Sequence, residues 1–544
     1  MKNARYTAIA LILALGAAPA FAQGAGEALT ASHNDYYGTA RTIAMGNAFT
    51  ALGGDIGSLG INPAGGAVNN YSQVTITPGV TVYGANTTFD GNNSYHSNRG
   101  NFNLPNIGAS FNMSTNRRSG LVGMSFGFVA NSTGWYNKDF TGRGDNRESS
   151  SLGYLSDYAT YYNLGTNALQ NSGNLEYYSD LPAALAYQSL VMYPATANNG
   201  GPYISPVQEN YGATGPYPMR GEIEQRYSYR TTGNKRDMVF NFGMNFSNRF
   251  FVGLNLGLVS LTYNESQTMR EEAKTMADFP VTVIDRDGVS HSDHFSDMAL
   301  GYNYRMNGTG VYGKIGIIAV PVEGLRLGLA VQTPTSLNAR ETRYFTINTN
   351  LIEEGTGFKD GATLETDDFR YEYKLILPAR YNVGLAYTIG KVGLLSVDYE
   401  LADYRKAKYK ERYTSDNYNF DGSNSDVHDL LALAHNIRVG AEFKPVSQLA
   451  VRAGYNYSAV PRISNYGFGG NVAAAAQHLG YNAVSAGLGY SSRGSFFCDF
   501  AVRCKINPKE YYYPYPTYIE ASPSPEIAVS SKMWDVILTL GLRF

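Results

Sequence analysis

The chain has 544 residues and a formal net charge of −2, with 43 Lys and Arg against 45 Asp and Glu. So even a balance gives no reason to expect a nucleic acid or a strongly acidic partner. Only 16% of residues are charged, while Gly (59), Tyr (44) and Phe (25) are abundant, as in a large β protein.

The first segment reads as an export signal. Lys2 and Arg5 supply positive charge, Ala8 to Ala18 is apolar and small, and Ala20-Phe21-Ala22 is a small-x-small cleavage site. Residues 1–22 are therefore expected to be removed. No later stretch approaches 18 consecutive apolar residues, so no transmembrane helix is expected.

Residues 23–72 follow as a short glycine-rich segment. Thr39 to Leu52 has helical character and Gly53-Gly54 would stop it. Ile61-Asn62-Pro63-Ala64-Gly65-Gly66 is rich in turn residues. Proline fixes the backbone and asparagine bonds to main-chain groups, so Asn62, Pro63 and Ala64 would hold one shape.

From residue 73 to 544, strand patterns recur near 73–84, 102–113, 120–131, 237–246, 250–264, 311–320, 325–332, 375–388, 393–404, 436–444, 449–457, 482–490, 496–505 and 533–544. Met238, Phe240, Phe242, Met244 and Phe246 share one face, as do Val252, Leu254, Leu256 and Leu258. The last strand puts Trp534, Val536, Leu538, Leu540, Leu542 and Phe544 on one face, with Asp535, Thr539 and Arg543 on the other. Connections alternate between tight turns, such as Ser247-Asn248-Arg249, and long loops. The expected fold is all-β: an antiparallel up-and-down transmembrane barrel of about fourteen strands, apolar outside, with short turns on the periplasmic side. Such a barrel is too wide for side chains alone to fill. Residues 23–72 are the expected plug, a small N-terminal hatch inside the lumen.

The loop at 132–236 is the outlier in length and should carry structure and function. Leu152 to Tyr193 reads as partly helical, with Pro182 opening a helix, and Asn198 to Gly221 as irregular. Asp285-Arg286-Asp287-Gly288, with His291, Asp293, His294 and Asp297, fits neither a Ca²⁺ nor a Zn²⁺ site well and reads as a solvated loop. Arg405 to Arg412 is a basic rim or a patch for lipopolysaccharide phosphates, with the rim preferred. His435 heads a strand without an obvious Ser partner, and Phe468-Gly469-Gly470 lacks the context of a phosphate site. No catalytic, metal or cofactor site is expected. Cys498 and Cys504 share one face of a strand beside Phe496, Phe500 and Val502, while Asp499, Arg503 and Lys505 share the other. Six residues of strand span about 20 Å, too far for a disulfide.

Taken in order, these segments resemble the FadL-type long-chain fatty acid and hydrocarbon channels of Gram-negative outer membranes. The resemblance rests on Gly46-Asn47-Ala48-Phe49-Thr50-Ala51 to Asp55, then Asn62-Pro63-Ala64, Leu104-Pro105-Asn106, Leu377-Pro378-Ala379, Tyr399 to Tyr404 and Ala459-Val460-Pro461. It covers nearly the whole chain after residue 22. The resemblance implies a fourteen-stranded barrel with an internal hatch, passive uptake of hydrophobic small molecules, and sideways exit where the third strand kinks inwards against the hatch. That strand is Leu121 to Asn131 here, with Gly123 and Gly127 as kink candidates. Expected partners are a hydrophobic ligand and outer-membrane lipid with lipopolysaccharide, with the chain expected to be a monomer and not an enzyme. The departure is the giant loop after strand three, so ligand contacts do not carry over. A structural or adhesive protein binding through that loop is the alternative, and a general porin the third reading.

Overall fold

The computed structural model describes residues 24–171, 175, 178–195, 202–209, 218–284, 290–353, 355, 359–390, 392–413, 419–459, 465–467, 480–516 and 523–544. The export signal, Asp285 to Gly288, Val460-Pro461 and Phe468 to Gly470 lie outside them.

Fourteen staves form one closed antiparallel barrel. They are β1 Gln73–Phe89, β2 Asn92–Ser114, β3 Leu121–Trp135, β4 Ile223–Phe246, β5 Phe250–Ala273, β6 Ser290–Ala319, β7 Leu325–Gln332 with Thr335–Glu353, β8 Phe369–Leu377 with Arg380–Ile389, β9 Gly393–Asp403, β10 Leu433–Val446, β11 Leu449–Ser458, β12 Tyr481–Ser491, β13 Phe496–Ile506 and β14 Ile527–Arg543. Closure runs from Gln73 opposite Arg543 to Phe89 opposite Ile527. The tight turn after β4 works because Ser247 and Asn248 both take left-handed backbone angles, φ 56 and 54, which twist the chain as a hairpin requires.

Every stave contains its sequence-read core, and several run much farther outwards. β4, β5 and β6 continue through stretches read as loops, because their outer halves alternate Tyr, Thr, Asn and charged residues rather than apolar ones. At about 3.3 Å per residue, 24 residues far exceed what a bilayer needs. These halves stand above the membrane as a tower. β7 and β8 bend at one level, through Thr333-Pro334 and Pro378-Ala379. Proline cannot donate to a ladder and so sits at such breaks.

The lower outer surface is a greasy belt that includes Ile76, Val80, Phe128, Phe240, Leu256, Ile315, Leu329, Val383, Leu385, Val397, Val439, Val451, Leu488, Phe500 and Leu538. The inner faces are polar. Asp499, Arg503 and Lys505 of β13 are buried in the lumen, whereas Cys498 and Cys504 alternate with them on the lipid side. Both thiols are free. No Cys498–Cys504 bridge is expected at any oxidation level short of unfolding. Mass spectrometry of unreduced, membrane-extracted protein checks this, and a linked peptide would contradict the strand assignment.

The upper lumen is filled by the long loop. Its helices α3 Ser151–Tyr161, α4 Thr166–Gln170 and α5 Leu181–Gln188, the last opened by Pro182, bury Leu152, Leu155, Leu169, Leu181 and Leu185 against wall tyrosines. The N-terminus of α3 is pinned to the wall: Glu271 of β5 accepts from Ser150 Oγ at 2.5 Å and from the Ser151 amide at 2.6 Å.

Candidate functional site

The hatch lies in the lower lumen. It comprises α1 Ala25–Ser32, α2 Ala40–Ala44 and two 3-10 turns, Ile56–Gly60 and Pro63–Val68. The helix expected over Thr39 to Leu52 is only the short α2. Gly46 and Asn47 both take φ 61, a left-handed step that ends it, and Gly53-Gly54 makes a second such step. α1 was not legible, being a single alanine-rich turn pair.

An irregular segment in a lumen must find partners for its own amides and carbonyls. Here the wall supplies them with side chains. Lys235 Nζ donates to Ala31 O at 2.6 Å and Lys314 Nζ to Gly60 O at 2.9 Å. Asn255 donates to Leu59 O at 2.7 Å and Asn241 to Pro63 O at 2.9 Å. Asp398 accepts from the Thr50 amide at 2.7 Å. Charge pairs add to this. Arg41 meets Glu442 at 3.0 Å, and Asp35 meets Arg503 at 3.1 Å and Lys505 at 2.9 Å. Burial alone would raise the Asp35 carboxyl, but Arg503 and Lys505 outweigh it and hold Asp35 well below the usual range.

Asn62-Pro63-Ala64 sits at the centre of this web. Asn62 caps the second 3-10 turn, accepting from the Ala64 amide at 3.0 Å. Its Nδ2 donates to Thr50 O at 2.6 Å and to Ile317 O of β6 at 3.1 Å. One side chain thus ties two hatch segments and the wall together.

The wall parts beside the hatch. β2 and β3 pair from Ser114 opposite Gly123 to Asn106 opposite Asn131, and there the ladder stops. At the fork Asn106 Nδ2 donates to Asn131 Oδ1 at 2.6 Å. β3 continues with β4 alone, shifting register between Ser132 and Gly134. Its extension Asp139–Asn146 pairs with β4 from Arg230 to Ile223 and runs inside the wall, with Gly142 against Ile527 of β14 and Gly144 against Phe89 of β1. The hatch takes the place that β2 leaves: the Asp35 amide donates to Thr133 O at 2.8 Å and the Tyr37 amide to Ser132 O at 2.9 Å. β2 above Asn106 keeps a strand neighbour on its β1 side only, among the described residues. Phe102 on this edge is 74% exposed.

Gly123 and Gly127 lie below the fork, paired on both sides, and β3 shifts register against β4 between Leu121 and Gly123 as well as between Ser132 and Gly134. Gly127 faces the hatch, where an added Cβ would stand 2.9 Å from Leu59 Cδ1. The turn inwards comes at Ser132 to Gly134. Small polar residues there gave no periodic signal.

No family model matches this sequence, and no curated protein matches it. Among solved structures, a FadL homologue of Pseudomonas aeruginosa aligns with a TM-score of 0.50 at 10% identity, covering 93% of this chain and 98% of that one. The toluene transporter TodX of Pseudomonas putida aligns with a TM-score of 0.49 at 13% identity, covering 94% and 99%. The chain has the FadL-type outer-membrane barrel fold. At such identity the likeness is one of overall fold alone, over nearly the full length of both chains.

Within this FadL-type barrel, the hatch and wall touch through glycine. A Cβ on Gly253 of β5 would overlap the Pro63 carbonyl, and one on Gly316 of β6 would overlap Asn62 Oδ1. Gly328 of β7 and Gly384 of β8 abut Thr50, Gly440 of β10 abuts Met45, Gly454 of β11 abuts Gly46, and Gly487 of β12 abuts Ala44. Several face each other across the ladder, as Gly243 with Gly253, Gly253 with Gly316, Gly328 with Gly384, and Gly440 with Gly454. This girdle lets the hatch backbone lie directly on the sheet. Its signal, one glycine low in nearly every stave, is present in the sequence but has no local periodicity to mark it.

Proposed function

We propose that this barrel admits small hydrophobic compounds, such as long-chain fatty acids or hydrocarbons, by diffusion and releases them sideways between β2 and β3. The observation that carries this is the parting itself, where the hatch and not β2 completes the edge of β3 at Ser132 and Thr133.

The level of the parting supports it. The outward residues of β2 from Met113 through Phe111 and Ile107 to Phe102 are apolar and exposed, so the fork at Asn106 falls within the lipid belt. An apolar solute gains about 25 cal/mol per Å² on leaving water. It keeps that gain on passing from a greasy seam into lipid, so no energy source is needed. An axial route would have to return it to water beneath the hatch.

The adhesive reading wants the long loop displayed. Instead α3 and α5 bury their leucines in the barrel mouth. They act on this reading as an outer cover over the entry.

A carboxylate on the edge of the seam would stand in the path of an apolar solute, at a cost to the barrel smaller than that of a Lys or Arg at the same depth. Phe102→Glu is therefore expected to lower uptake of a labelled fatty acid or aromatic hydrocarbon at least tenfold at equal surface level, with a normally heat-modifiable barrel. Unchanged uptake by a folded Phe102→Glu barrel would sink lateral exit at this seam.

A further inference from the structure

We propose that the outer face of β8 and the neighbouring strand Lys408–Glu411 form a binding site for the phosphates of an outer-leaflet glycolipid. Three lysines make it. Lys374 of β8 lies directly opposite Lys410, and Ile376 directly opposite Lys408. Leu375 and Tyr409 between them are buried inwards, so Lys374, Lys408 and Lys410 share the outer face.

Two like charges placed directly opposite on a sheet repel. Such a pair normally has an acid beside it. Here none of the three lysines has an ion-pair partner among the described residues. The acid on that face, Glu372, is already committed on both oxygens, to Arg340 through Oε1 and to Arg412 through Oε2. That triad itself carries a surplus positive charge. Glu411 alternates to the opposite face from Lys410. The patch is therefore a concentrated cation field whose same-face carboxylate, Glu372, is already spent on two arginines.

Its height selects the ligand. Rising along β8 from the periplasmic end, the outward residues are Ile389, Tyr387, Leu385, Val383, Tyr381, Ala379 and Ile376, and all are apolar or aromatic. Lys374 is the first charge above them. On β9 the outward series Leu395, Val397, Tyr399, Leu401 ends likewise at Asp403, which Arg405 already pairs at 2.8 Å. The lysines thus stand where the hydrocarbon ends and head groups begin. Lysine stems lie along apolar surface and reach towards such groups. A lipid whose acyl chains lie on Val383 and Tyr381 would bring its phosphates within their reach. A soluble anion would gain nothing from that placement. The sequence reading preferred a plain solvated rim for Arg405 to Arg412, and the opposed Lys374, which lies outside that run, is what shifts the balance.

The test compares lipid A carrying both phosphates with enzymatically dephosphorylated lipid A, each added to the purified full-length barrel and followed by native mass spectrometry. The wild type is expected to hold the phosphorylated lipid at least tenfold more tightly. The triple variant Lys374→Gln, Lys408→Gln, Lys410→Gln should lose that preference while remaining heat-modifiable. Equal binding of both lipids, or a preference untouched in the folded triple variant, would overturn the proposal. Displacement of the lipid by millimolar inorganic phosphate would also overturn it, because the site would then be one for a free anion.

Discussion

Replacing Gly316 by valine is expected to unseat the hatch and turn the barrel into a leaking pore. A Cβ at this position overlaps Asn62 Oδ1 and approaches Pro63 Cδ at 2.7 Å, and both belong to one rigid turn. The sheet cannot yield, since Gly316 is laddered to Gly253 on one side and Ala330 on the other. Overpacking costs about 1–3 kcal/mol on its own. Shifting Asn62 also breaks its bonds to Thr50 and Ile317, each worth about 1 kcal/mol net and more when left buried and unmade. The hatch holds no reserve against this, because its neighbours lean on the same contacts. Planar-bilayer conductance and sensitivity of cells to large antibiotics should both rise several-fold. Gly313→Val is the matched control on the same stave. It points to lipid, where the nearest contact for a Cβ is Thr333 Cγ2 at 3.8 Å. Leakage from both variants alike, or from neither, would show that the glycine girdle does not seat the hatch.

The second large effect should come from locking the seam. Tyr37 and Ser132 form an isolated antiparallel bridge. Partners in such a bridge have Cα atoms about 4.5–5.5 Å apart, within the range a disulfide spans. Tyr37→Cys with Ser132→Cys, in a background with Cys498→Ser and Cys504→Ser, is expected to close oxidatively. Uptake should then fall to the level of cells lacking the protein and return on reduction. The loss of the Tyr37 ring, which lies 4.2 Å from the Arg503 guanidinium, is present in both redox states and cancels in the comparison. Full uptake by the oxidised pair would mean that ligand leaves without moving the hatch from Ser132.

Much of this fold could be read from residue alternation, and the parts that could not share a cause. Alternation reports only where one face meets lipid. The belt therefore showed clearly in strands such as Val252 to Leu258, whose outward side chains are aliphatic. Above the membrane both faces of a stave are polar or tyrosyl, as in Tyr227, Ser228, Tyr229 and Arg230 of β4. There the strand continues without the pattern, so the tower was mistaken for loops. In the hatch, Asn62-Pro63-Ala64 was legible because proline and asparagine have local consequences. The bend of β3 was not, since Ser132 and Thr133 turn inwards to meet Tyr37 and Asp35, nearly a hundred residues earlier in the chain. Gly123 and Gly127 suggested a kink, but Gly127 marks a close approach of wall and hatch beside Leu59.

The distribution of the hatch's apolar contacts bears on how the molecule is made. Tyr36, Met45 and Phe49 pack with Ala386 of β8. Tyr37, Ala40 and Ile43 pack with Ala501 of β13 and Ile537 of β14. Ile56 and Leu59 pack with Val129 and Val239, and Ala64 and Ala67 with Phe251 and Ile318. Each cluster draws on a different sector of the wall, and the largest internal one, Tyr36, Met45, Phe49, Ala51, Leu52 and Ile61, is small. Before the sheet closes most of these contacts have no partner, so the hatch is expected to settle only after β14 finds β1. Assembly is thus expected to run ring before stopper and to pass through an unplugged barrel. The time the hatch takes to settle onto its glycines is the time during which the newly made protein is a hole in the membrane.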